Sequence, residues 1–148
     1  MFNTGEIDIL LVEDSDTDSE LTLRAFKRQR LEARVHRALD GPDALDFLHA
    51  RGTYADRHAQ RLPRLILLDI RMPKMSGIEV LRRVRADPAL RMIPVVMMTS
   101  SDEPCDVEAA YRLGANSYVV KPLEFDDFIH AAEEVGVYWS RLNEVASA

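Results

Sequence analysis

The chain has 148 residues, of which 47% are hydrophobic and 30% are charged, and its formal net charge is −6. This length suits one domain with a substantial core, and the charge argues against a surface for nucleic acid or anionic membranes. No stretch approaches the roughly 20 apolar residues of a membrane-spanning helix, and the first residues do not resemble a signal peptide. The single cysteine, Cys105, excludes an internal disulfide, and we expect a cytoplasmic protein.

The first half of the chain predicts two strand–helix units and a long loop. Residues 7–12 form an apolar strand, and Ser15 then offers an N-cap for a helix. Residues 33–38 form a second strand, in which Arg34 and His36 suit the edge of a sheet. A second helix opens at Gly41, and the polar residues 51–64 predict a surface loop or an extension of that helix.

The second half repeats the alternation of strands and helices. Residues 65–69, 93–98 and 117–120 are predicted strands, and a helix that ends near Pro88 separates the first two. A helix from Pro104 to Gly114 follows, and the last helix covers about residues 124–143. Five strands that alternate with five helices predict an α/β fold with right-handed crossovers and a doubly wound parallel sheet.

Polar side chains follow four of the predicted strands, at the point where each strand ends. They are Glu13, Asp14, Asp69, Thr99 and Lys121. The carboxyl ends of parallel strands lie at one edge of a sheet, where such folds bind their ligands. Carboxylates suit Mg²⁺, an ammonium and a hydroxyl can hold a phosphoryl group, and an aspartate can act as its nucleophile.

Over nearly its whole length the chain resembles the receiver domains of two-component response regulators. The resemblance lies in Glu13-Asp14, Asp69 after Leu67-Leu68, Met72-Pro73 with Gly77, Thr99-Ser100 and Lys121-Pro122, and in their spacing. It implies a flavodoxin-like, five-stranded parallel sheet in the order 2-1-3-4-5, flanked by five helices. It also implies one receiver domain over residues 1–148, and we expect no separate output domain.

The resemblance implies a role for each of these side chains. Asp69 would accept a phosphoryl group from a phosphohistidine and become an aspartyl phosphate. Asp14, Asp69 and the backbone carbonyl of Arg71 would hold Mg²⁺, and Glu13 would assist through water. Thr99 would hydrogen-bond the phosphoryl group, and Lys121 would form an ion pair with it.

Further positions carry expectations of the same kind. Tyr118 occupies the family's aromatic switch position, although an aromatic residue in a strand is equally compatible with core packing. Lys121-Pro122 would contain a cis peptide bond. Arg71 and Ser101 stand where the family tunes attack of water on the phosphoryl group, and we predict that Arg71 shields Asp69.

The last helix carries a long apolar stripe. Phe125, Phe128, Ile129 and Ala132 can reach the sheet, whereas the later residues extend beyond it or pack as part of a longer helix. An exposed apolar patch there would be an interface, for which the candidates are Phe128, Trp139 and Leu142. We predict a symmetric dimer through the fourth and fifth helices and the fifth strand.

Other classes of function fit the sequence less well. An aspartate-nucleophile phosphatase generally needs a second Asp two residues after the nucleophile, where this chain has Arg71. A dinucleotide binder needs a glycine-rich turn, but the first strand leads into Glu13-Asp14. A receiver-like scaffold that acts without phosphorylation is the remaining alternative.

The expected partners follow from the resemblance. A sensor histidine kinase would supply the phosphoryl group, and output would be a contact or phosphorelay with another protein, without nucleic acid or membrane. More specifically, the long segment after the second helix and the aromatic last helix resemble the single-domain regulators that partner bacterial phytochrome kinases.

Overall fold

The computed structural model describes residues 7–146, apart from the side chain of residue 33. Its centre is one parallel sheet in the strand order β2-β1-β3-β4-β5, as predicted. The strands are β1 (Ile9–Val12), β2 (Val35–Ala38), β3 (Leu65–Leu68), β4 (Val95–Thr99) and β5 (Ser117–Val120). The more polar β2 lies at an edge of the sheet, which confirms the prediction for its position.

Five helices connect and cover the strands. They are α1 (Asp16–Arg28), α2 (Gly41–His49), α3 (Gly77–Ala86), α4 (Pro104–Arg112) and α5 (Phe125–Val137). Ser15, Asp40 and Ser76 cap α1, α2 and α3 by accepting a hydrogen bond from a backbone N–H of the first turn. Beyond α5 the chain continues as a π-helical turn, Tyr138–Leu142, so the long last helix is confirmed. Within residues 7–146, no helix combines the length and apolarity needed to span a membrane.

The core has two layers, one on each face of the sheet. Alternate residues of a strand point to opposite faces, so Leu10 and Ile66 pack towards α2 and α3, whereas Ile9 and Leu67 pack towards α1 and α5. This arrangement confirms the doubly wound fold and explains why the central strands are apolar at every position.

Residues 51–64 are not simply a polar surface loop. Ala50 has a left-handed φ of 52° and ends α2, and a short 3₁₀ turn at Gly52–Tyr54 follows. Tyr54 and Arg57 are both buried, and the Arg57 guanidinium lies 3.8 Å from the centre of the Phe47 ring. Arg57 also donates to the backbone carbonyls of Phe47 and Arg61. The sequence pattern did not predict this packing, because a buried arginine that is held by hydrogen bonds adds nothing to a hydrophobic periodicity.

Two predictions for the last helix are wrong. Phe128 is 3% exposed and packs in the core, because α5 lies closely against α1. Gly136 permits this approach, since a Cβ there would lie 2.6 Å from an atom of the Phe26 ring. Conversely, Phe125 does not reach the sheet and is 65% exposed. Of the other predicted interface residues, Trp139 packs partly against the core and Leu142 is largely exposed.

Candidate functional site

The predicted strand-end residues meet at the carboxyl edge of the sheet. Backbone hydrogen bonds extend the parallel pairing past the strands: Asp69 donates to Val12 at 3.2 Å and Lys121 donates to Thr99 at 2.7 Å. A cavity of about 450 Å³ opens there, and its walls include Glu13, Asp14, Asp69, Arg71, Thr99, Ser101 and Lys121. The structure therefore brings together every residue that was predicted for phosphoryl and metal chemistry.

Lys121 is the centre of the site's electrostatics. Its ammonium group lies 2.6 Å from Glu13 Oε1 and 2.8 Å from Asp69 Oδ2, and the lysine side chain is 5% exposed. A third carboxylate, Asp18 Oδ2 from the first turn of α1, lies 2.7 Å away. An ammonium has three N–H donors, so three carboxylates occupy all of them.

Burial and charge set the pKa values of this cluster. Burial raises the pKa of Glu13 to about 7, although the adjacent Lys121 acts in the opposite direction. Burial also acts to raise the pKa of Asp69, but its hydrogen bond and ion pair with Lys121 outweigh that effect and lower it. The pKa of Lys121 is raised, because its carboxylate partners outweigh the effect of burial. Asp69 is therefore an ionised carboxylate at neutral pH, as a nucleophile must be.

The acidic cluster has the composition of a divalent-cation site. Carboxylate oxygens of Glu13, Asp14 and Asp69 all lie within 4.8 Å of one another. Asp14 is exposed, so the cluster is open to solvent on that side. Oxygen ligands and access for water both fit Mg²⁺, which binds through one or two carboxylates and keeps several waters. Participation of the Arg71 carbonyl stays a prediction.

Asp69 is held on both of its carboxylate oxygens. The backbone N–H of Ile70 donates to Oδ1 at 2.7 Å, and Lys121 holds Oδ2. Thr99, which is 1% exposed at the end of β4, contributes a side-chain hydrogen bond that helps to lower the pKa of Asp69. Behind Asp69 the turn needs Gly77, because a Cβ there would lie 1.9 Å from the Asp69 carbonyl oxygen.

Tyr118 combines features of both interpretations of its role. Its ring packs partly against the core, and its hydroxyl donates to the backbone carbonyl of Ser101 at 2.8 Å. Burial is the main cause that raises the pKa of this phenol. The residue thus connects β5 to the loop after Thr99, but rotation of the ring stays a prediction.

Arg71 and Ser101 are connected through a residue of α4. Arg71 lines the cavity, and its guanidinium lies 3.3 Å from Asp106 Oδ2. The hydroxyl of Ser101 donates to the same oxygen at 2.5 Å. The two positions predicted to tune hydrolysis therefore share one carboxylate.

The predicted cis bond at Lys121-Pro122 is wrong. No peptide bond among residues 7–146 is cis. The trans form of a bond before proline is favoured by only about 0.5–1 kcal/mol, so local sequence does not decide the isomer.

Two acids that contact residues of the site were not predicted, namely Asp18 and Asp106. Each is an acid in the first turn of a helix, which by itself indicates only stabilisation of a helix N-terminus. The available signal is positional: α1 and α4 both begin directly after strand ends that form the site. First-turn acids of such helices point towards the same edge of the sheet.

The comparisons with known proteins agree with this geometry. Residues 9–133 match the family model described as response regulator receiver domain. A probable methanogenesis regulatory protein of Methanothrix harundinacea, FilR2, is 41% identical over 131 residues, which cover 88% of this chain and 82% of FilR2. Response regulator Rcp1 of Synechocystis is 37% identical over 131 residues, which cover 88% of this chain and 87% of Rcp1.

Solved structures show the same fold at full length. The crystal structure of Mn²⁺-bound Rcp1 has a TM-score of 0.85 and 34% identity. The match covers 94% of this chain and 98% of the Rcp1 chain. The structure of the phosphorylated cyanobacterial phytochrome response regulator RcpA has a TM-score of 0.88 and 31% identity. The match covers 97% of this chain and 100% of the RcpA chain. The chain belongs to the response regulator receiver domain family, and phytochrome response regulators are among its near relatives.

Proposed function

We propose that this protein is a phosphorylation-dependent switch in which Asp69 accepts a phosphoryl group from the phosphohistidine of a sensor histidine kinase. The observation that carries the proposal is the buried ammonium of Lys121, 2.8 Å from Asp69 Oδ2 and beside a cluster of acids. A receiver-like scaffold would not need an ionised acceptor that is held on both oxygens. The scaffold alternative is therefore not favoured.

The chemistry uses the groups that already surround Asp69. A carboxylate oxygen attacks phosphorus, the phosphorus–nitrogen bond breaks, and the histidine nitrogen leaves with the bonding pair. Lys121 balances the added negative charge, and the Thr99 hydroxyl hydrogen-bonds a phosphoryl oxygen. Ile70, which donates its N–H to Oδ1, orients the carboxylate for this attack.

Mg²⁺ is the proposed cofactor, and Glu13, Asp14 and Asp69 would hold it. When bound, it neutralises charge between the acidic cluster and the oxygens of the incoming phosphoryl group. Rcp1, a relative in the same family, has been crystallised in a Mn²⁺-bound form, and this supports a divalent cation as the cofactor here. The proposed contribution of the Arg71 carbonyl belongs to the same site.

The proposed output is a change of the face formed by α4, β5 and α5. Thr99 and Tyr118 would transmit it, since the phenol of Tyr118 already contacts the loop that follows Thr99. The protein would act as a signal carrier and not as a turnover enzyme, because each phosphoryl group modifies its own Asp69. We also propose that the single domain acts in the cytoplasm, through protein partners and without nucleic acid.

The proposed phosphoryl donor is a bacteriophytochrome-type kinase. Its support is the similarity to RcpA, described as a phytochrome response regulator. Transfer from a purified bacteriophytochrome kinase that carries [³²P]phosphohistidine should label this chain faster than transfer from an unrelated histidine kinase. Equal rates from both donors would reject the phytochrome assignment while leaving the acceptor role intact.

The acceptor role is tested by phosphorylation with acetyl phosphate. With Mg²⁺, the wild-type chain should gain the mass of one phosphoryl group, measured on the intact protein, and EDTA should prevent the gain. Asp69→Asn should gain nothing, whereas Asp127→Asn, which changes an exposed carboxylate on α5, should react like wild type. An unmodified wild-type chain, or equal labelling of Asp69→Asn, would overturn the proposed function.

A homodimer through α4, β5 and α5 is the proposed assembly. Several large apolar side chains of this region are exposed: Tyr111, Val120, Leu123, Phe125, Tyr138 and Leu142. Exposed apolar side chains of this size favour an interface, and β5 is also an edge strand. Sedimentation should show a dimer at micromolar concentration that Phe125→Glu dissociates, and a monomeric wild type in both phosphorylation states would reject it.

A further inference from the structure

The ion pair between Arg71 and Asp106 joins one wall of the phosphoacceptor cavity to helix α4. Arg71 belongs to the loop after β3 and lines the cavity together with Asp69. Asp106 belongs to the first turn of α4, which follows β4. The pair therefore connects the loop that carries Arg71 to α4, at one wall of the cavity that also contains Asp69.

Asp106 is better fixed than the arginine that it contacts. Its side chain is 21% exposed, whereas the side chain of Arg71 is 67% exposed. The buried Ser101 donates its hydroxyl to Asp106 Oδ2 at 2.5 Å, and the Ser101 carbonyl accepts from Tyr118. Arginine has a long side chain with many rotamers. An ion pair with a fixed carboxylate therefore restricts the positions that its guanidinium occupies.

Asp106 has no role in the chemistry described above. It is not one of the three acids of the metal cluster, and Lys121 binds three other carboxylates. Its contacts are instead with Arg71 and Ser101, the two positions predicted to tune attack of water. The shared carboxylate of Asp106 gives these two positions a direct physical connection.

We propose that Asp106 is a positioning residue that holds Arg71 over the mouth of the site, where the guanidinium shields the phosphorylated Asp69 from water. This inference rests on the proposed function of Asp69. Without Asp106, the Arg71 side chain extends into the solvent more often and leaves the mouth of the site open. Water then reaches the phosphorus more often. The lifetime of the aspartyl phosphate then becomes shorter.

The test compares the decay of the phosphorylated full-length chain in four variants and wild type. Each protein is labelled with acetyl phosphate and Mg²⁺, freed of the donor by rapid desalting, and followed by intact mass. The variants are Asp106→Asn, Arg71→Ala, the double variant and Glu108→Gln. Glu108→Gln is the matched control, because it removes a different α4 carboxylate, whose partner is the exposed Arg112 at 2.5 Å.

Asp106→Asn and Arg71→Ala should each shorten the lifetime by about two- to fivefold, the range expected for a partly exposed ion pair. The double variant should decay like Arg71→Ala alone, because Asp106 acts through Arg71. Glu108→Gln should match wild type, and thermal unfolding should show that Asp106→Asn remains folded. This non-additivity is a result that a purely structural role would not give.

Three results would overturn the inference. They are an unchanged or longer lifetime in Asp106→Asn, an additive effect in the double variant, and an equal effect of Glu108→Gln. All three can be observed only in proteins that become phosphorylated, so they leave the proposed function standing. A wild-type chain that gains no phosphoryl group would instead overturn both.

Discussion

The helices α2 and α4 both have nine residues, yet they are attached to the sheet in different ways. α2 buries five residues, including Phe47, whose ring stacks on His36 at 4.4 Å and lies under Arg57. α4 buries only Ala110, and its first turn is held by the polar contacts of Asp106. If Asp69 is phosphorylated as proposed, the added charge should therefore rearrange the polar contacts of α4 and leave the apolar packing of α2 unchanged.

The largest difference should appear when side chains are truncated. Phe47→Ala should lower the free energy of unfolding by about 3–5 kcal/mol, because it leaves a cavity among buried rings. Tyr111→Ala on α4, where the ring is half exposed, should change it by less than about 0.5 kcal/mol. Urea denaturation measures both, and Phe47→Leu serves if Phe47→Ala does not fold. Similar losses from Phe47→Ala and Tyr111→Ala would contradict the comparison.

The second prediction concerns the acidic cluster, where Glu13 should make both stability and Mg²⁺ affinity depend on pH. The pKa of Glu13 is about 7 in the folded chain and 4.5 ordinarily, so the folded chain holds a proton between these values that the unfolded chain releases. The stability that Glu13 contributes is therefore complete below pH 4.5 and is lost as the pH rises to about 7. Mg²⁺ must displace this proton, so its affinity should weaken up to about tenfold per pH unit below pH 7.

Calorimetric titration with Mg²⁺ between about pH 6 and pH 8 tests this dependence. Glu13→Gln, which has no proton to lose, should bind more weakly and with little dependence on pH over that range. The same slope in Glu13→Gln and wild type would assign the pH dependence to another group. The packing of α2 should not depend on pH in this range. Burial lowers the pKa of His36, which contacts α2, so this histidine should gain a proton only at lower pH.

The smallest effect compares two tyrosine hydroxyls. Tyr54 donates to Asp43 at 2.8 Å in the buried cluster beside α2, and Tyr118 donates to the Ser101 carbonyl at 2.8 Å beside α4. Tyr54→Phe should cost about 1 kcal/mol of stability, because it removes a hydrogen bond from partly buried partners. Tyr118→Phe should cost less in thermal or urea unfolding. A larger loss from Tyr118→Phe would mean that α4 is held as firmly as α2.

Most of the fold and the central site could be predicted, because their signals are local. Apolar runs identify central strands, and an acid or a lysine directly after a strand must lie at its carboxyl end. This logic located Asp69, Thr99 and Lys121 correctly. Contact partners that lie on a different element could not be predicted in this way. Examples are Asp18, which contacts Lys121, and Asp106, which contacts Arg71.

The wrong predictions about burial share a physical cause. The burial of Arg57 depends on backbone carbonyls that a sequence pattern does not display. The positions of Phe125 and Phe128 depend on how far α5 rotates about its axis when Gly136 admits the Phe26 ring. Each was decided by packing between elements and not by the period within one element.

The most direct test of the account is amide hydrogen exchange with and without phosphorylation. Acetyl phosphate and Mg²⁺ should change exchange in residues 104–108 of α4 and leave residues 41–49 of α2 unchanged, in wild type and not in Asp69→Asn. That outcome would show that the phosphoryl group on Asp69 acts on the helix held by polar contacts. A phosphorylated chain with unchanged exchange in α4, or with equal changes in α2 and α4, would contradict the account.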